Sequence, residues 1–368
     1  MRAGAAVSRD PDVRAAARDA ARRALAAAGL LRAGCLFVGG TVDHFDQAID
    51  LCAELRGAAG DGVQIIGGAV GSVLVRGDGG EDGPALGVLA LEEPGHVFAW
   101  SAEDGSELRS AAQASGPGAL ALVLADPAAP LPRLQAALAR EAPGLLVAGG
   151  GIAAEGGLLI DDDLAEAGAV GLVLPPPARV AVAQSYQPVG EPALVTRVEG
   201  RLVHELDGRP ALEALLALQK LPGLADIGGA LPFLGLGVSP APGEPFRADD
   251  FVSVALMGLD EKSGALSVGA RLEEGSSVSF TMRDGIGSRR ALDRALGTLG
   301  GRRPSFGVYF DCSSRGTELY GVEELDLSLI EKALGQFPLL SLRTSFELGP
   351  SGAGVGLHLF TGVLALAG

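Results

Sequence analysis

The sequence predicts an α/β protein of the α+β type, with large mixed, mostly antiparallel sheets, helices outside them and two intimately packed domains. Most apolar runs are four to eight residues long and are bounded by Gly, Pro or Asp, which indicates buried strands. These runs outnumber the candidate helices roughly two to one. Strands and helices do not alternate strictly, so the pattern does not favour a doubly wound parallel sheet.

Apolar residues recur at helical spacing in several segments of the chain. The first helix is expected to begin near Asp12, and the second has Phe45, Ile49, Cys52 and Leu55 on one face. The predicted helices cover residues 15–28, 45–55, 134–139, 212–218, 291–299 and 325–334.

Shorter apolar runs predict the strands, and turn residues between two of them predict a hairpin. Glu199-Gly200 is expected to join two short strands. A second turn at Asp207-Gly208 is followed by Pro210, and a proline is tolerated in the first turn of a helix. The predicted strands cover residues 35–38, 63–66, 86–91, 120–124, 145–148, 170–174, 180–183, 194–198, 251–256, 278–282, 306–310 and 357–366.

The length of 368 residues suggests roughly two domains. Composition becomes rich in Gly and Pro near residues 220–230, and a new series of strands starts at Leu231. We therefore predict an N-terminal helix in residues 1–32, a first domain over residues 33–225 and a second domain over residues 226–368. No period of 20–50 residues recurs, which argues against a solenoid or a propeller.

Charge and composition exclude several classes of partner. The chain has 29 basic and 45 acidic residues and a formal net charge of −16, which argues against nucleic acid and anionic membranes as partners. Arginines interrupt the first thirty residues, so they lack the apolar core of a secretory signal. The three cysteines are too few for a disulfide framework. We therefore expect a cytoplasmic protein with reduced thiols.

The residues give little support for a metal or nucleotide site. No two of the four histidines lie within five positions of each other, and the chain has neither a Cys-x-x-Cys pair nor a Walker A motif. We therefore predict no metal and no cofactor. Gly149 and Gly150 follow a predicted strand, where they either let a ligand approach the backbone or serve tight turns and close sheet packing.

The most distinctive polar cluster follows the predicted strand 306–310. A guanidinium at such a strand end, in the loop that holds Arg315 and Gly316, can form two parallel hydrogen bonds to a ligand carboxylate. Alternatively, Arg315 pairs with Asp311 or Glu318 and only fixes the loop.

Two other polar clusters lie in the C-terminal half. A carboxylate at Glu347, just before a Gly-Pro turn, can accept an ammonium group, although a pair with Arg343 explains it equally well. The Met-Arg-Asp-Gly sequence at residues 282–285 follows a predicted strand and is most simply a turn.

At these residues the sequence resembles the FIST proteins, a family of sensory proteins with FIST N and FIST C domains. The matching segments follow one another in order over nearly the whole chain after about residue 33. They include Gly67-Gly-Ala-Val-Gly-Ser, Ala148-Gly-Gly-Gly-Ile, Glu205-Leu-Asp-Gly-Arg-Pro-Ala-Leu, Pro232-Phe-Leu-Gly-Leu-Gly, Cys312-Ser-Ser-Arg-Gly and Glu347-Leu-Gly-Pro.

The resemblance implies an intracellular ligand-sensing module whose ligands are small molecules such as amino acids. The family's Cys-x-x-Arg-Gly signature matches residues 312–316, and its C-terminal Glu matches Glu347. The chain departs from the family at Ser314 and Phe346, where many members have Gly. Both larger side chains are expected to fill or reshape the pocket.

We therefore expect a stand-alone intracellular sensor of a small polar metabolite such as an amino acid, without enzymatic activity. Arg315 would bind the carboxylate of the ligand, and Glu347 would bind its ammonium or hydroxyl group. Residues 1–32 are too short for an output domain, so signalling would need a separate partner protein. The predicted ligand-binding residues are Gly149, Gly150, Cys312, Ser313, Arg315, Gly316 and Glu347.

Two other functions stay open at this point. Cys312 can be the nucleophile of an enzyme of acyl or thiol chemistry, with His358 as the candidate base in the same half of the chain. Such a thiol would be alkylated rapidly at neutral pH, whereas a free Cys at the end of a buried strand is more often a small packed residue. The third possibility is an interaction scaffold without a small ligand.

Overall fold

The α/β class predicted from the sequence is confirmed. The structure has mixed and antiparallel sheets, and helices connect many of their strands along the chain. The structure is a computed structural model that describes residues 1–77, 80, 82–221, 224–248, 250–352 and 354–368, with only the backbone of Asp163. The chain divides into two units. The first comprises Met1–Ala183, Leu292–Pro350 and Thr361–Gly368, and the second comprises Gln184–Ala291 and Ser351–Phe360.

The elements of both units are short, as the apolar runs predicted. The strands are β1 (Ala3–Ser8), β2 (Cys35–Gly40), β3 (Gln64–Ala69), β4 (Ser72–Leu74), β5 (Leu86–Leu91), β6 (His96–Trp100), β7 (Leu120–Ala125), β8 (Leu146–Gly151), β9 (Leu158–Ile160), β10 (Asp163–Leu164), β11 (Ala169–Leu174), β12 (Ala178–Gln184), β13 (Tyr186–Pro188), β14 (Ala193–Glu199), β15 (Leu202–Leu206), β16 (Arg209–Pro210), β17 (Leu234–Val238), β18 (Val252–Asp260), β19 (Ala265–Val268), β20 (Ser277–Arg283), β21 (Phe306–Cys312), β22 (Leu339–Thr344), β23 (Glu347–Ser351), β24 (Gly354–His358) and β25 (Thr361–Ala367).

The helices mostly follow the predicted periodicity. They are α1 (Val13–Ala28), α2 (Val42–Phe45), α3 (Ala48–Ala59), α4 (Ser106–Ser115), α5 (Leu131–Glu141), α6 (Ala211–Leu216), α7 (Ile227–Ala230), α8 (Gly285–Thr298), α9 (Thr317–Tyr320) and α10 (Leu325–Leu334), with 3₁₀ turns at Ala217–Lys220 and Leu231–Phe233.

Each predicted helix overlaps a helix of the structure, and residues 325–334 have the bounds of α10. The first helix begins directly after Asp12, whose side chain accepts a hydrogen bond from the Ala15 N–H at 2.8 Å. Among the elements that the pattern missed are β1, β6, β17, β22 and α4. In β22 the buried Ser341 and Arg343 interrupt the apolar run, so it does not look like a strand.

The predicted domain boundaries stay predictions. Residues 1–32 hold β1 in addition to the expected helix, and β1 pairs along its whole length with β5. The expected boundary between residues 225 and 226 falls within the second unit.

The first unit contains one order of elements three times, which no sequence period indicated. Each repeat has an outer strand, a helix, a central strand, a second helix and three further strands. The repeats are β1-α1-β2-α3-β3-β4-β5, β6-α4-β7-α5-β8-β9-β11 and β12-α8-β21-α10-β22-β23-β25. Most of the second unit is inserted into the third repeat, between β12 and β21.

Strand pairing is the same in all three repeats. The central strand pairs in parallel with the strand after the second helix and antiparallel with the last strand. The parallel registers begin at corresponding pairs, which are Cys35 with Gln64, Leu120 with Leu146 and Gly307 with Leu339. Residues of the three repeats can therefore be compared position by position.

Each repeat gives one strand to the sheet of another repeat. The strand β4 pairs with β22, β9 pairs with β3, and β23 pairs with β8, so the three exchanges close a ring. The sheets of the first unit are β1-β5-β2-β3-β9-β10, β23-β8-β7-β11-β6 and β12-β25-β21-β22-β4.

One face of each of these sheets contributes to a shared apolar core. Phe37 of the first repeat, Leu122 of the second and Phe310 of the third all belong to it. The rings of Phe37 and Phe310 meet edge to face, with centroids 6.4 Å apart. The opposite face of β2 packs on α1 and α3, and that of β21 packs on α8 and α10, so helices lie outside the sheets as predicted.

The second unit is built on an antiparallel sheet that closes on itself. Its order is β14-β15-β19-β18-β17-β20, and β20 pairs with both β17 and β14. Leu215, Leu218 and Ile227, from the helical segment after β16, join Leu236 and Phe280 in its apolar core. The predicted turns are present, since Gly200, Asp207 and Gly208 all have positive φ.

We expect Gly149→Ala to destabilise the protein by about 1–3 kcal/mol, because a Cβ there would lie 2.2 Å from the Val123 carbonyl oxygen of the adjacent strand. The matched control is Gly57→Ala, in the exposed part of α3, where a Cβ meets nothing within 4 Å. It should leave stability unchanged or raise it by up to about 1 kcal/mol. Urea unfolding of both variants measures the difference, and equal effects would contradict close strand packing at Gly149.

Candidate functional site

The predicted site residues of the C-terminal half meet at one end of the parallel strands β21 and β22. Both strands end at this edge, where Asp311 lies opposite Arg343 and Cys312 lies opposite Thr344. Five ionisable side chains from this edge and its connections are nearly or wholly buried. We call Asp311, Arg315, Asp326, Arg343 and Glu347 the charge cluster.

Arg315 is bound by groups of the protein itself. Its side chain is 1% exposed, and its Nε donates to Asp326 Oδ2 at 2.8 Å and lies 3.2 Å from Asp311 Oδ1. Its Nη2 donates to the Tyr320 hydroxyl at 2.6 Å. The pair with Asp311, one of the two alternatives considered from the sequence, is therefore present. Asp326 is an additional partner.

Arg343 holds the loop that carries Arg315. Its Nε lies 3.1 Å from Asp311 Oδ2, and its Nη1 donates to the Arg315 carbonyl oxygen at 2.6 Å. Asp311 thus lies between two guanidinium groups, and the two acids Asp311 and Asp326 balance the two arginines. This compensation is what permits four charges in a buried place.

Glu347 is fully buried, with Thr344 and Thr361 as its neighbours. Its Oε2 accepts hydrogen bonds from the Thr361 N–H at 3.1 Å and the Thr361 hydroxyl at 2.6 Å, and its Oε1 accepts one from the Thr344 hydroxyl at 3.2 Å. Burial raises the pKa of the Glu347 carboxyl to about 8, and the hydrogen bonds from Thr361 offset part of this rise. The carboxyl is therefore protonated at neutral pH.

Both predicted glycines lie beside Glu347. In the pairing of β23 with β8, Glu347 is opposite Gly150, and Leu348 is opposite Gly149. A Cβ at Gly150 would lie 2.5 Å from a carbon of Thr344, so glycine lets the two strands bring Thr344 to Glu347.

The remaining predicted residues surround the cluster in different ways. Cys312 is buried, whereas Ser313 is exposed and its N–H donates to the Thr344 carbonyl oxygen at 3.2 Å. Gly316 has φ 73° and ψ −134°, which a residue with a side chain rarely adopts. This conformation explains the glycine after Arg315. Cys312 lies in the first unit and His358 in the second.

A small polar cavity adjoins the cluster. Its volume is about 10 Å³, and Tyr309, Asp311, Asp326, Ser341 and Arg343 are among its lining residues. Asp326 Oδ1 and the Ser341 hydroxyl are buried without a hydrogen-bond partner among the described residues. A space of this size holds one water molecule, so an amino acid enters only if the cluster opens.

Asp326 is the member of the cluster that the sequence analysis missed. It lies in the first turn of α10, and its neighbours on the buried side of the helix are Leu327 and Ile330. An acidic residue at an apolar position of a predicted helix was the available signal. Its partner, 11 residues away, becomes evident only in the folded chain.

In the part of the chain that the structure describes, no three His, Cys, Asp or Glu side chains are grouped so that they could hold a metal ion. Across the same ranges, each helix is too short or too polar to cross a membrane.

We expect Glu347→Gln to change how stability depends on pH. The folded protein keeps the Glu347 proton up to about pH 8, whereas the unfolded chain loses it near pH 4.5. The free energy of unfolding should therefore fall as pH rises between these values, by at most about 1.4 kcal/mol per pH unit from this group. Glu347→Gln should remove this contribution in urea titrations at pH 5, 6, 7 and 8. The exposed Glu318→Gln is the control, and identical slopes in all three proteins would contradict the assignment.

Removal of Arg315 should cost far more stability than removal of a surface arginine with two acidic partners. Arg315→Met leaves Asp311 and Asp326 without one of their cations and should cost about 3–5 kcal/mol. Arg76, which pairs with Glu324 and Glu331 and is 48% exposed, is the matched control. Arg76→Met should cost less than about 1 kcal/mol by urea unfolding. Similar losses in both variants would show that burial adds little to the Arg315 pairs.

Comparisons with known proteins agree with the resemblance seen in the sequence. The family model for the FIST N domain matches residues 32–209, and that for the FIST C domain matches residues 211–350. An uncharacterized protein of Mycobacterium tuberculosis is 33% identical over 388 aligned residues, which cover 100% of this chain and 99% of the relative. An uncharacterized protein of Mycobacterium bovis is 34% identical over 231 residues, or 61% of this chain and 59% of that protein. The chain therefore belongs to the FIST family, whose domains are associated with signal transduction and small-ligand sensing.

Proposed function

We propose that the protein senses a small metabolite with a carboxylate and an ammonium group, such as an amino acid, through the charge cluster, and signals through a separate protein. The observation that carries this proposal is the restriction of the cluster to one of three equivalent repeats. The proposal assigns no reaction to the protein.

The other two repeats have uncharged residues at the corresponding positions. The residues equivalent to Asp311 are Gly39 and Leu124, those equivalent to Arg343 are Gly68 and Gly150, and those equivalent to Glu347 are Ser72 and Leu158. The same strand pairing therefore forms without charges. Because buried ion pairs add little stability over apolar packing, the charges of the third repeat are better explained by binding than by folding.

The position of the cluster also favours binding. It lies beyond the carboxyl ends of the parallel strands β21 and β22, the edge at which open α/β sheets usually bind ligands. Without a ligand, Asp326 occupies the Nε side of the Arg315 guanidinium. A ligand carboxylate can replace Asp326 there, since both offer the same oxygen atoms to the same donor.

The state of Glu347 determines how an ammonium group would bind. Protonated Glu347 has no charge to attract a cation, so binding must release its proton. Below pH 8, the association constant should therefore rise with pH, by up to tenfold per unit.

A route for the signal follows from Asp326. Its displacement from Arg315 would move the first turn of α10. Glu324, just before this turn, is bound to the exposed Arg76 at 2.8 Å, so the movement would change the surface that a partner protein contacts.

Calorimetric titration with glycine, alanine, serine and glutamate tests the proposal. We expect saturable binding of at least one of them, with proton release below pH 8 measured by repeating the titration in buffers of different ionisation enthalpy. Glu347→Gln should abolish proton release and weaken binding at least tenfold, while Glu318→Gln should change neither. The proposal is wrong if none of these amino acids binds at millimolar concentration, or if binding is the same in Glu347→Gln.

A further inference from the structure

Arg283, at the end of β20 in the second unit, has no charged partner among the residues that the structure describes. Its guanidinium carbon lies 5.1 Å from the ring centroid of Phe360 and 5.8 Å from that of Phe233. Phe360 in turn meets Tyr186 edge to face at 5.3 Å, and Tyr186 is opposite Arg283 in the pairing of β13 with β20. Two aromatic rings therefore contact the guanidinium.

Buried hydrogen-bond donors remain unused at this place. Nε and Nη1 of Arg283 are shielded from solvent, and neither has a hydrogen-bond partner among the described residues. Thr281 lies two positions earlier on the same face of β20 and is fully buried, and its hydroxyl is also without a partner in the described chain. Buried polar groups are normally paired, so these three atoms indicate a missing hydrogen-bond acceptor.

The backbone conformation of Phe360 and the exposure of Phe233 both support a binding site at Arg283. Phe360 has φ 57°, a conformation that is uncommon for a bulky residue. Phe233 is 46% exposed, so one of the two rings that contact the guanidinium also faces solvent. The site is therefore open to small molecules on the side of Phe233.

We propose that Arg283, Thr281, Phe233 and Phe360 form a carboxylate-binding site in the second unit, separate from the charge cluster. A carboxylate offers two coplanar oxygens that accept from neighbouring guanidinium donors, and its single charge balances that of Arg283. Phosphate carries a second negative charge above neutral pH, which the single guanidinium would leave uncompensated beside the two aromatic rings. The site therefore favours carboxylates over phosphate.

The turn predicted for residues 282–285 was wrong, since Met282 and Arg283 lie in β20 and Gly285 begins α8. Asp284 accepts a hydrogen bond from the Gly287 N–H at 2.7 Å and thereby starts α8. Among the contacts of the described residues, Arg283 takes no part in this helix start, and its unpaired donors can bind a ligand.

Nuclear magnetic resonance of the arginine Nε–H groups tests the site in the whole protein. Titration with sodium acetate, against sodium chloride at equal ionic strength, should give a saturable shift of the Arg283 signal. Sodium phosphate should bind at least tenfold more weakly. An equal response to chloride, or binding of phosphate as tight as that of acetate, would overturn the proposal.

Three variants locate the binding. Arg283→Lys keeps the charge but loses the planar donors, and Thr281→Val keeps the shape but loses the hydroxyl. Both should weaken acetate binding, measured by calorimetry, and Arg283→Lys should weaken it at least tenfold. The exposed Arg289→Lys on α8 is the control and should bind acetate as the wild type does. Unchanged binding in Arg283→Lys would refute the site.

A fourth variant separates this site from the proposed sensor. Arg315→Lys changes the residue of the charge cluster that would bind a carboxylate and should leave acetate binding unchanged. Loss of acetate binding in Arg315→Lys with retention in Arg283→Lys would assign the carboxylate to the charge cluster and contradict the site in the second unit.

Discussion

The exchange of strands among the three repeats is the constraint on which the first unit depends. Because β4, β9 and β23 each complete the sheet of another repeat, none of the three sheets is whole without its neighbours. Close packing is also needed within each repeat. A Cβ at Gly67 or Gly149 would lie 2.2 Å from the carbonyl oxygen of its partner on the neighbouring parallel strand, Val38 or Val123.

The third repeat carries buried charged residues on the strand framework that all three repeats share. Its edge carries compensated charges where the others carry Gly, Ser or Leu, and the exchanged strand β23 brings Glu347 beside Gly150 of the second repeat. The cluster is thus assembled from two repeats. The missing side chain of Gly150 gives the space in which Thr344 and Glu347 meet.

Two arginines show opposite ways of placing a guanidinium inside a protein. Arg315 has two carboxylates, a tyrosine hydroxyl and a carbonyl oxygen as partners, so its charge and its donors are both satisfied. Arg283 contacts two aromatic rings and has no acceptor for its buried donors among the described residues. The first arrangement is closed and must open to bind anything, whereas the second is incomplete as it stands.

The sequence by itself determined the fold class, most helices and strands, and the family, because apolar spacing and turn residues are local properties. It also identified Arg315 and Glu347 as unusual polar residues, and it included the Arg315–Asp311 pair among its alternatives. Only the tertiary structure decided that Arg315 binds Asp326, that Glu347 is buried with Thr361, and that three repeats exchange strands. These features depend on residues far apart in the chain, and the repeats share backbone pairing rather than side chains. No local pattern of residue types records such pairing.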